Sequence, residues 1–380
     1  MLHTHPIAPH LTRHRAVGKA RRPDGDPVAP LKEMVNFEPI PRPAPAGLAV
    51  PLSVFDPAAS RAAEQAGKLV FHCVGDTGGI HGTATQEAIA EAMENQIKTA
   101  AAADQPRFFF HLGDVIYFNG QSSLYKSEFY EPYQYYPALI FAVPGNHDGD
   151  THVGRGDLPD SEPSLYGFMQ NFCDTAPQHV TPYRMSMSQP YVYWTLQTPF
   201  VTIIGLYSNI EGSLDARGRQ DQQQFLNNQM AKAPANQKLL IAVHHPPFSL
   251  DSVHGGCPDI LTAIDSAIAA SGRMPDAVLS GHVHNYQRFS REIKGRRIPY
   301  LVAGAGGYAN DARSMHRLQK PVAAERLPFQ TTLPDVQLEQ FKEDEPGFLR
   351  ITAAADHLQF DYFIVPFDGS ASTQFDSVTV

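Results

Sequence analysis

An α/β fold, with a mostly parallel sheet covered by helices, is predicted by three observations. Short apolar runs of strand length recur from residue 68 onward, helical stretches separate several of them, and five runs end in small polar groups that begin with Gly or His. The runs are 69–74, 108–112, 138–143, 201–206, 239–243, 277–279 and 300–302. Each is too short for a core helix and rich enough in Val, Ile, Leu and Phe for a strand buried on both faces. Between the first two runs, Thr83 and Gln86 have capping-box spacing ahead of an Ala/Glu-rich helix that reaches about residue 103. Asp221 can cap a helix to Lys232, and Asp259 one over 260–271 that stops at Gly272. Residues 347–352 and 358–365 flank Ala355-Asp356-His357 and predict a hairpin. Residues 149–197 and 308–346 lack either rhythm and are expected to be functional loops or lids.

The first 66 residues are different. They hold 11 of the chain's 32 prolines, and Pro39, Pro41, Pro43 and Pro45 alternate, which favours extended backbone. Residues 1–66 are therefore expected to be a proline-rich arm and residues 67–380 the catalytic domain. His3, His5, His10 and His14 on that arm could bind metal weakly. Arg21-Arg22 is followed by Pro23-Asp24-Gly25-Asp26-Pro27 where a signal peptide needs an apolar stretch, so a cytoplasmic location is expected. No run approaches the roughly 18 apolar residues of a membrane span.

Over 380 residues, 42% hydrophobic and 18% charged side chains describe a chain able to bury a large core, which excludes wholesale disorder. A net charge of -9 disfavours a nucleic acid polymer or an anionic membrane as main partner, while a small anionic substrate stays compatible with a local cation. Cys73, Cys173 and Cys257 are odd in number and widely spaced, so reduced thiols are expected.

Chemistry concentrates where the runs end. Gly75-Asp76-Thr77-Gly78-Gly79, Gly113-Asp114-Val115-Ile116-Tyr117, Gly145-Asn146-His147-Asp148, His244-His245-Pro246-Pro247 and Gly281-His282-Val283-His284 each follow a run. Open α/β sheets form their sites at the carboxyl ends of strands, so these groups can converge although they span over two hundred residues. Singly, each also fits an ordinary turn or a buried polar pair; together they point to a metal site. There is no G-x-S-x-G elbow and no cysteine phosphatase loop to supply a protein nucleophile.

Over about residues 68–307 the blocks GDTG, GDVIY, GNHD, IAVH and GHVH resemble the calcineurin-like metallophosphoesterases, and among them the purple acid phosphatases. The resemblance implies a four-layer α/β/β/α sandwich. It also implies two metal ions, with Asp114 bridging: Asp76, Asp114, Tyr117 and His284 around one, Asp114, Asn146, His244 and His282 around the other. Most relatives carry a histidine two residues after the first aspartate, but Gly78 stands here, and Tyr117 resembles the phenolate that purple acid phosphatases use instead. Read alone, Tyr117 also fits a core tyrosine. With two carboxylates and a phenolate the first set should favour Fe(3+); the neutral imidazoles and amide of the second should favour Fe(2+), Zn(2+) or Mn(2+). The resemblance gives His147 and His254 catalytic roles on the substrate side, although His254 read alone also fits a solvent-exposed loop residue. Asp148 and His111 adjoin ligands and are expected to orient them. His245 is expected to pack or bond locally.

The implied activity is hydrolysis of a small phosphomonoester by a metal-activated hydroxide. A phosphodiesterase acting on a nucleotide or lipid head group with the same ligands, and a metal-binding scaffold without turnover, are the alternatives.

Overall fold

The computed structural model describes residues 24–28, 47–79, 82–150, 162–216 and 218–380. The four N-terminal histidines, Arg21-Arg22 and the alternating prolines lie outside them.

Fifteen strands form two sheets among the described residues. In chain order they are β1 (Ala49–Pro51), β2 (Lys68–Val74), β3 (Pro106–His111), β4 (Leu139–Ala142), β5 (Trp194–Gln197), β6 (Val201–Leu206), β7 (Lys238–Val243), β8 (Ala277–Ser280), β9 (Tyr286–Ile293), β10 (Arg296–Ala303), β11 (Phe329–Gln330), β12 (Val336–Lys342), β13 (Gly347–Ala354), β14 (Leu358–Ile364) and β15 (Thr373–Thr379). The helices are α1 (Leu52–Phe55), α2 (Pro57–Ala66), α3 (Ala84–Thr99), α4 (Asn146–Gly149), α5 (Tyr166–Phe172), α6 (Asp221–Lys232) and α7 (Pro258–Ser271). One sheet runs β1-β5-β6-β7-β8-β10-β9-β12-β11, the other β15-β14-β13-β2-β3-β4. They share one core: Trp194 of the first sheet lies 5.4 Å from Phe141 and 6.5 Å from Phe110 of the second. Two sheets with helices match the expected metallophosphoesterase architecture.

All seven apolar runs are strands, and β2-β3-β4 and β6-β7-β8-β10 pair in parallel. The remainder of each sheet is mostly antiparallel: β13-β14 is the expected hairpin, whereas the antiparallel pairing of β9 with β10 and β12 is not announced by the strand-helix rhythm. The reason is local. Lys294 and Gly295, both with positive φ (50° and 77°), form a two-residue turn that returns β9 directly into β10, leaving no room for a crossover helix. Residues 308–346 likewise hold β11 and β12, and 162–197 hold α5 and β5, so neither tract is loop throughout.

The caps differ in detail from the sequence expectation. Thr83 Oγ1 bonds to Glu87 at 2.6 Å, while Gln86 is buried and donates to the Glu128 carbonyl. For α6 the free N–H groups of Gln222 and Gln223 are met at 2.9 Å by Asp215, six residues before the helix starts. Gly272 at φ 68° does end α7. All three cysteines are free thiols. No helix of the described residues is long and apolar enough to cross a membrane.

Of residues 1–66, the described segments 24–28 and 47–66 bond to the rest of the fold. β1 pairs with β5, and α2 leads through Gly67 into β2, so residues 47–66 are part of the folded unit. Farther upstream, the Pro27 carbonyl accepts from Ser249 N (2.9 Å) and Gly256 N (3.1 Å), and Gly25 O accepts from Thr332 N (3.1 Å). Gln319 clasps the same segment, its Oε1 accepting from Gly25 N and its Nε2 donating to Asp26 O. Residues 24–28 thus tie together the loops that carry His254 and His316. Removing residues 1–28 is expected to lower stability by about 1–3 kcal/mol relative to removing 1–23, since several net bonds are lost and partly offset by released chain entropy. Paired urea titrations check this; coincident midpoints would show that the segment contributes nothing.

Candidate metal centre

Each group singled out in the sequence stands at the carboxyl end of a parallel strand: Asp76 after β2, Asp114 after β3, Asn146 at the start of α4 after β4, His244 after β7, and His282 and His284 after β8. Three of them adopt left-handed backbone that side-chain-bearing residues rarely take: Asp76 (φ 60°), Asp114 (φ 51°) and His282 (φ 68°). That strain is held by bonds among the strand ends, Asp76 N to Gly113 O (2.9 Å), Thr77 N to Asp114 O (3.2 Å) and His282 N to Asp76 Oδ2 (2.8 Å). The preceding glycines permit the close approach. A Cβ on Gly145 would lie 2.1 Å from Asp114 Oδ1, and one on Gly281 2.5 Å from Asp76 Oδ2.

Two donor sets result. In one, Asn146 Oδ1 is 3.0 Å from both His244 Nε2 and His282 Nδ1, which are 3.3 Å from each other; Asp114 Oδ2 is 3.3 Å from His244 Nε2. His244 donates from Nδ1 to the Leu112 carbonyl (2.9 Å), which leaves its Nε2 to face this cluster. In the other set the Tyr117 hydroxyl lies 3.3 Å from both Asp76 Oδ1 and His284 Nε2, themselves 3.5 Å apart.

The electrostatics suit a cation. Burial works to lower the His244 pKa, but Asp114 overrides it and pushes His244 up to about 9, so positive charge is favoured at this point. Burial works to raise Asp114, yet His244 and His147 hold it below the usual carboxylate range. Burial lowers His284 to about 3, and burial with neighbouring histidines holds His282 well below 6.5, so both keep free lone pairs. Burial, then the carboxylates of Asp114 and Asp76, push the Tyr117 phenol well above 10; a phenolate here needs a cation beside it. Clustered oxygen and imidazole donors that can be satisfied together only by positive charge are the chemistry of metal ligands, and the residues fit such ions. Gly78 bears on the same question. A Cβ there would meet Tyr117 Cδ2 at 2.7 Å and Ile116 Cα at 2.8 Å, so the tyrosine ring excludes a side chain at position 78.

The residues expected on the substrate side are also near. His147 donates its backbone N–H to Asp114 Oδ1 (2.9 Å), and its Nδ1 lies 2.9 Å from the Phe118 carbonyl, which fixes the ring with Nε2 outward from that bond. His254, exposed on its loop, brings its ring within 4.6 Å of His282. Asp148 accepts from Gly145 N, Val115 N and Ile116 N, so it braces the loops that carry Asp114 and Asn146. Burial and then Asp114 raise its pKa to about 7. His111 bonds to Thr77 Oγ1 (2.8 Å) and accepts from Gly113 N, which ties the first two blocks together. His245 bonds Ser208 Oγ at 2.8 Å.

Sequence reasoning missed Tyr308 and His316. Their rings lie 4.0 Å and 4.2 Å from that of His284. Both sit in a tract without periodicity, and no motif marks either.

The family model of the calcineurin-like phosphoesterases matches residues 69–286, and the chain belongs to this family of phosphoric ester hydrolases. It is similar to purple acid phosphatases within it. Tartrate-resistant acid phosphatase type 5 of Oryctolagus cuniculus is 26% identical over 268 residues, 67% of this chain and 77% of that protein. A probable cyclic nucleotide phosphodiesterase of Rhodopseudomonas palustris is 34% identical over 85 residues, 20% of this chain and 27% of that one. The purple acid phosphatase of yellow lupin, Lupinus luteus, superposes with a TM-score of 0.57 at 17% identity, covering 82% of this chain and 53% of the lupin chain. The chain therefore spans about half of the lupin protein and about a quarter of the bacterial one.

Proposed function

We propose that this protein is a binuclear metallophosphatase that hydrolyses small phosphomonoesters. Asp76, Asp114, Tyr117 and His284 hold one ion, and Asp114, Asn146, His244 and His282 the other, with Asp114 shared. The observation that carries the reading is the convergence of seven side chains from five strand ends, with donor atoms 3.0 to 3.5 Å apart. Two carboxylates and a phenolate favour Fe(3+) in the first set, and neutral imidazoles and an amide favour Fe(2+), Zn(2+) or Mn(2+) in the second. When bound, such a pair activates water and neutralises charge on the phosphoryl oxygens. His147, anchored at Phe118, presents its other nitrogen to the phosphoryl group or to the leaving oxygen, and His254 lines the substrate side. Residues 47–380 form the catalytic unit.

The partial likeness to the bacterial phosphodiesterase supports a second reading, the same centre acting on a diester. Metal analysis of the purified protein beside hydrolysis of p-nitrophenyl phosphate and bis-p-nitrophenyl phosphate tests both. Two ions per chain and monoester preference support the first reading; diester preference selects the second; two ions without turnover leave a scaffold.

Tyr117→Phe is expected to remove the visible band that phenolate-to-iron charge transfer gives iron-loaded protein, while the ring still fills its space beside Gly78. A colour that survives in the iron-loaded variant takes Tyr117 out of the ligand set.

A further inference from the structure

A histidine that binds a metal through one ring nitrogen is ordinarily aimed by a hydrogen bond from the other. His244 follows this pattern, its Nδ1 donating to the Leu112 carbonyl. His284 does not. Its Nε2 faces Asp76 and Tyr117, while its Nδ1 is buried with no hydrogen-bond partner among the described residues. Something else must set the angle of this ring.

Two aromatic rings lie against it. His316 is stacked on His284 at 4.2 Å and 19° between planes, and Tyr308 lies 4.0 Å away at 42°. Centroid separations this short place each neighbour over the face of the His284 ring, not at its edge. The His316 backbone is itself fixed. Its N–H donates to His284 O (3.2 Å), its carbonyl accepts from Asn285 Nδ2 (2.9 Å), and its Nδ1 accepts from His284 N (3.2 Å). The loop behind it is braced in turn: Ser252 N donates to Arg317 O (2.9 Å), Gln319 N to Leu250 O (2.8 Å), and Gln319 holds residues 25 and 26.

We infer that His316 is a positioning residue for the metal centre: its ring, together with that of Tyr308, clamps the His284 imidazole in the orientation that presents Nε2 beside Asp76 and Tyr117. The clamp takes the place of the missing bond at Nδ1. This inference rests on the proposed ligand role of His284, and it concerns no group that need touch substrate.

The test uses full-length, iron-loaded protein and follows loss of the visible band when a chelator is added, with metal content measured alongside. His316→Ala keeps the main-chain bonds but removes the ring, and it is expected to release iron about 10–100-fold faster, the scale on which groups behind a ligand act. His316→Phe keeps the stack and should restore most of the wild-type rate, whereas His316→Gln keeps polarity without a ring and should resemble the Ala variant. Wild-type release rates in both Ala and Gln variants overturn the inference. Release from the Phe variant as fast as from the Ala variant also overturns it, because an aromatic ring at this position would then not hold the imidazole. If the Ala variant does not fold, the Phe and Gln pair decides alone. Failure of the underlying reading looks different: the wild type itself takes up no iron or shows no band.

Discussion

Asp114→Asn is expected to strip or scramble both proposed ions and to lower hydrolysis by roughly 10³-fold or more, the upper scale of losing one preorganised charged or polar group. Asp114 stands between the two donor sets. Its Oδ2 faces His244 Nε2 at 3.3 Å, its Oδ1 accepts from His147 N at 2.9 Å, and its charge acts on Tyr117. Asparagine is a clean probe because it has the same shape, tolerates the left-handed backbone found here at φ 51°, and can still accept one of these bonds. What it removes is the negative charge that both cations would share. Metal content by mass spectrometry, with turnover of p-nitrophenyl phosphate, reads the result. Two ions retained with near-normal turnover would show that Asp114 is not the bridge.

His147→Ala should separate catalysis from metal binding. The wild-type ring is anchored by the 2.9 Å contact of Nδ1 with the Phe118 carbonyl, and the backbone N–H that meets Asp114 survives the substitution. Metal content is therefore expected to hold while kcat falls about 10²–10⁴-fold, the range for a positioned acid–base group. The loss should be greatest with a poor leaving group, which needs protonation most. An unchanged rate with such an ester would return His147 to a structural role, and loss of an ion would make it a ligand.

These two residues were legible in the sequence for a local reason. A buried strand is a short apolar run, and the glycine and polar group that follow it are its immediate neighbours, so the site's blocks are written in consecutive residues. Asp76, Asp114, Asn146, His244, His282 and His284 could be found in this way because the fold brings together the carboxyl ends of β2, β3, β4, β7 and β8.

Other features depend on chain segments that return from far away. His316 meets the backbone N–H of His284, 32 residues distant, and Gln319 holds Gly25, 294 residues away. Neither contact has a spacing that periodicity could reveal. Residues 24–28 looked like part of an arm because they carry no strand or helix pattern, yet their backbone groups bond to the loop that carries His254 and to the Gln319 side chain, three residues past His316. The antiparallel direction of β9 was hidden because charged and amide side chains interrupt it, and a turn of two residues decides its direction. For Gly78 and Tyr117 the division is sharpest. By itself, the sequence determined that position 78 has no ligand and that Tyr117 is an available one. Only the tertiary structure decided that the two are sterically linked, because the phenol ring occupies the volume a side chain at 78 would need.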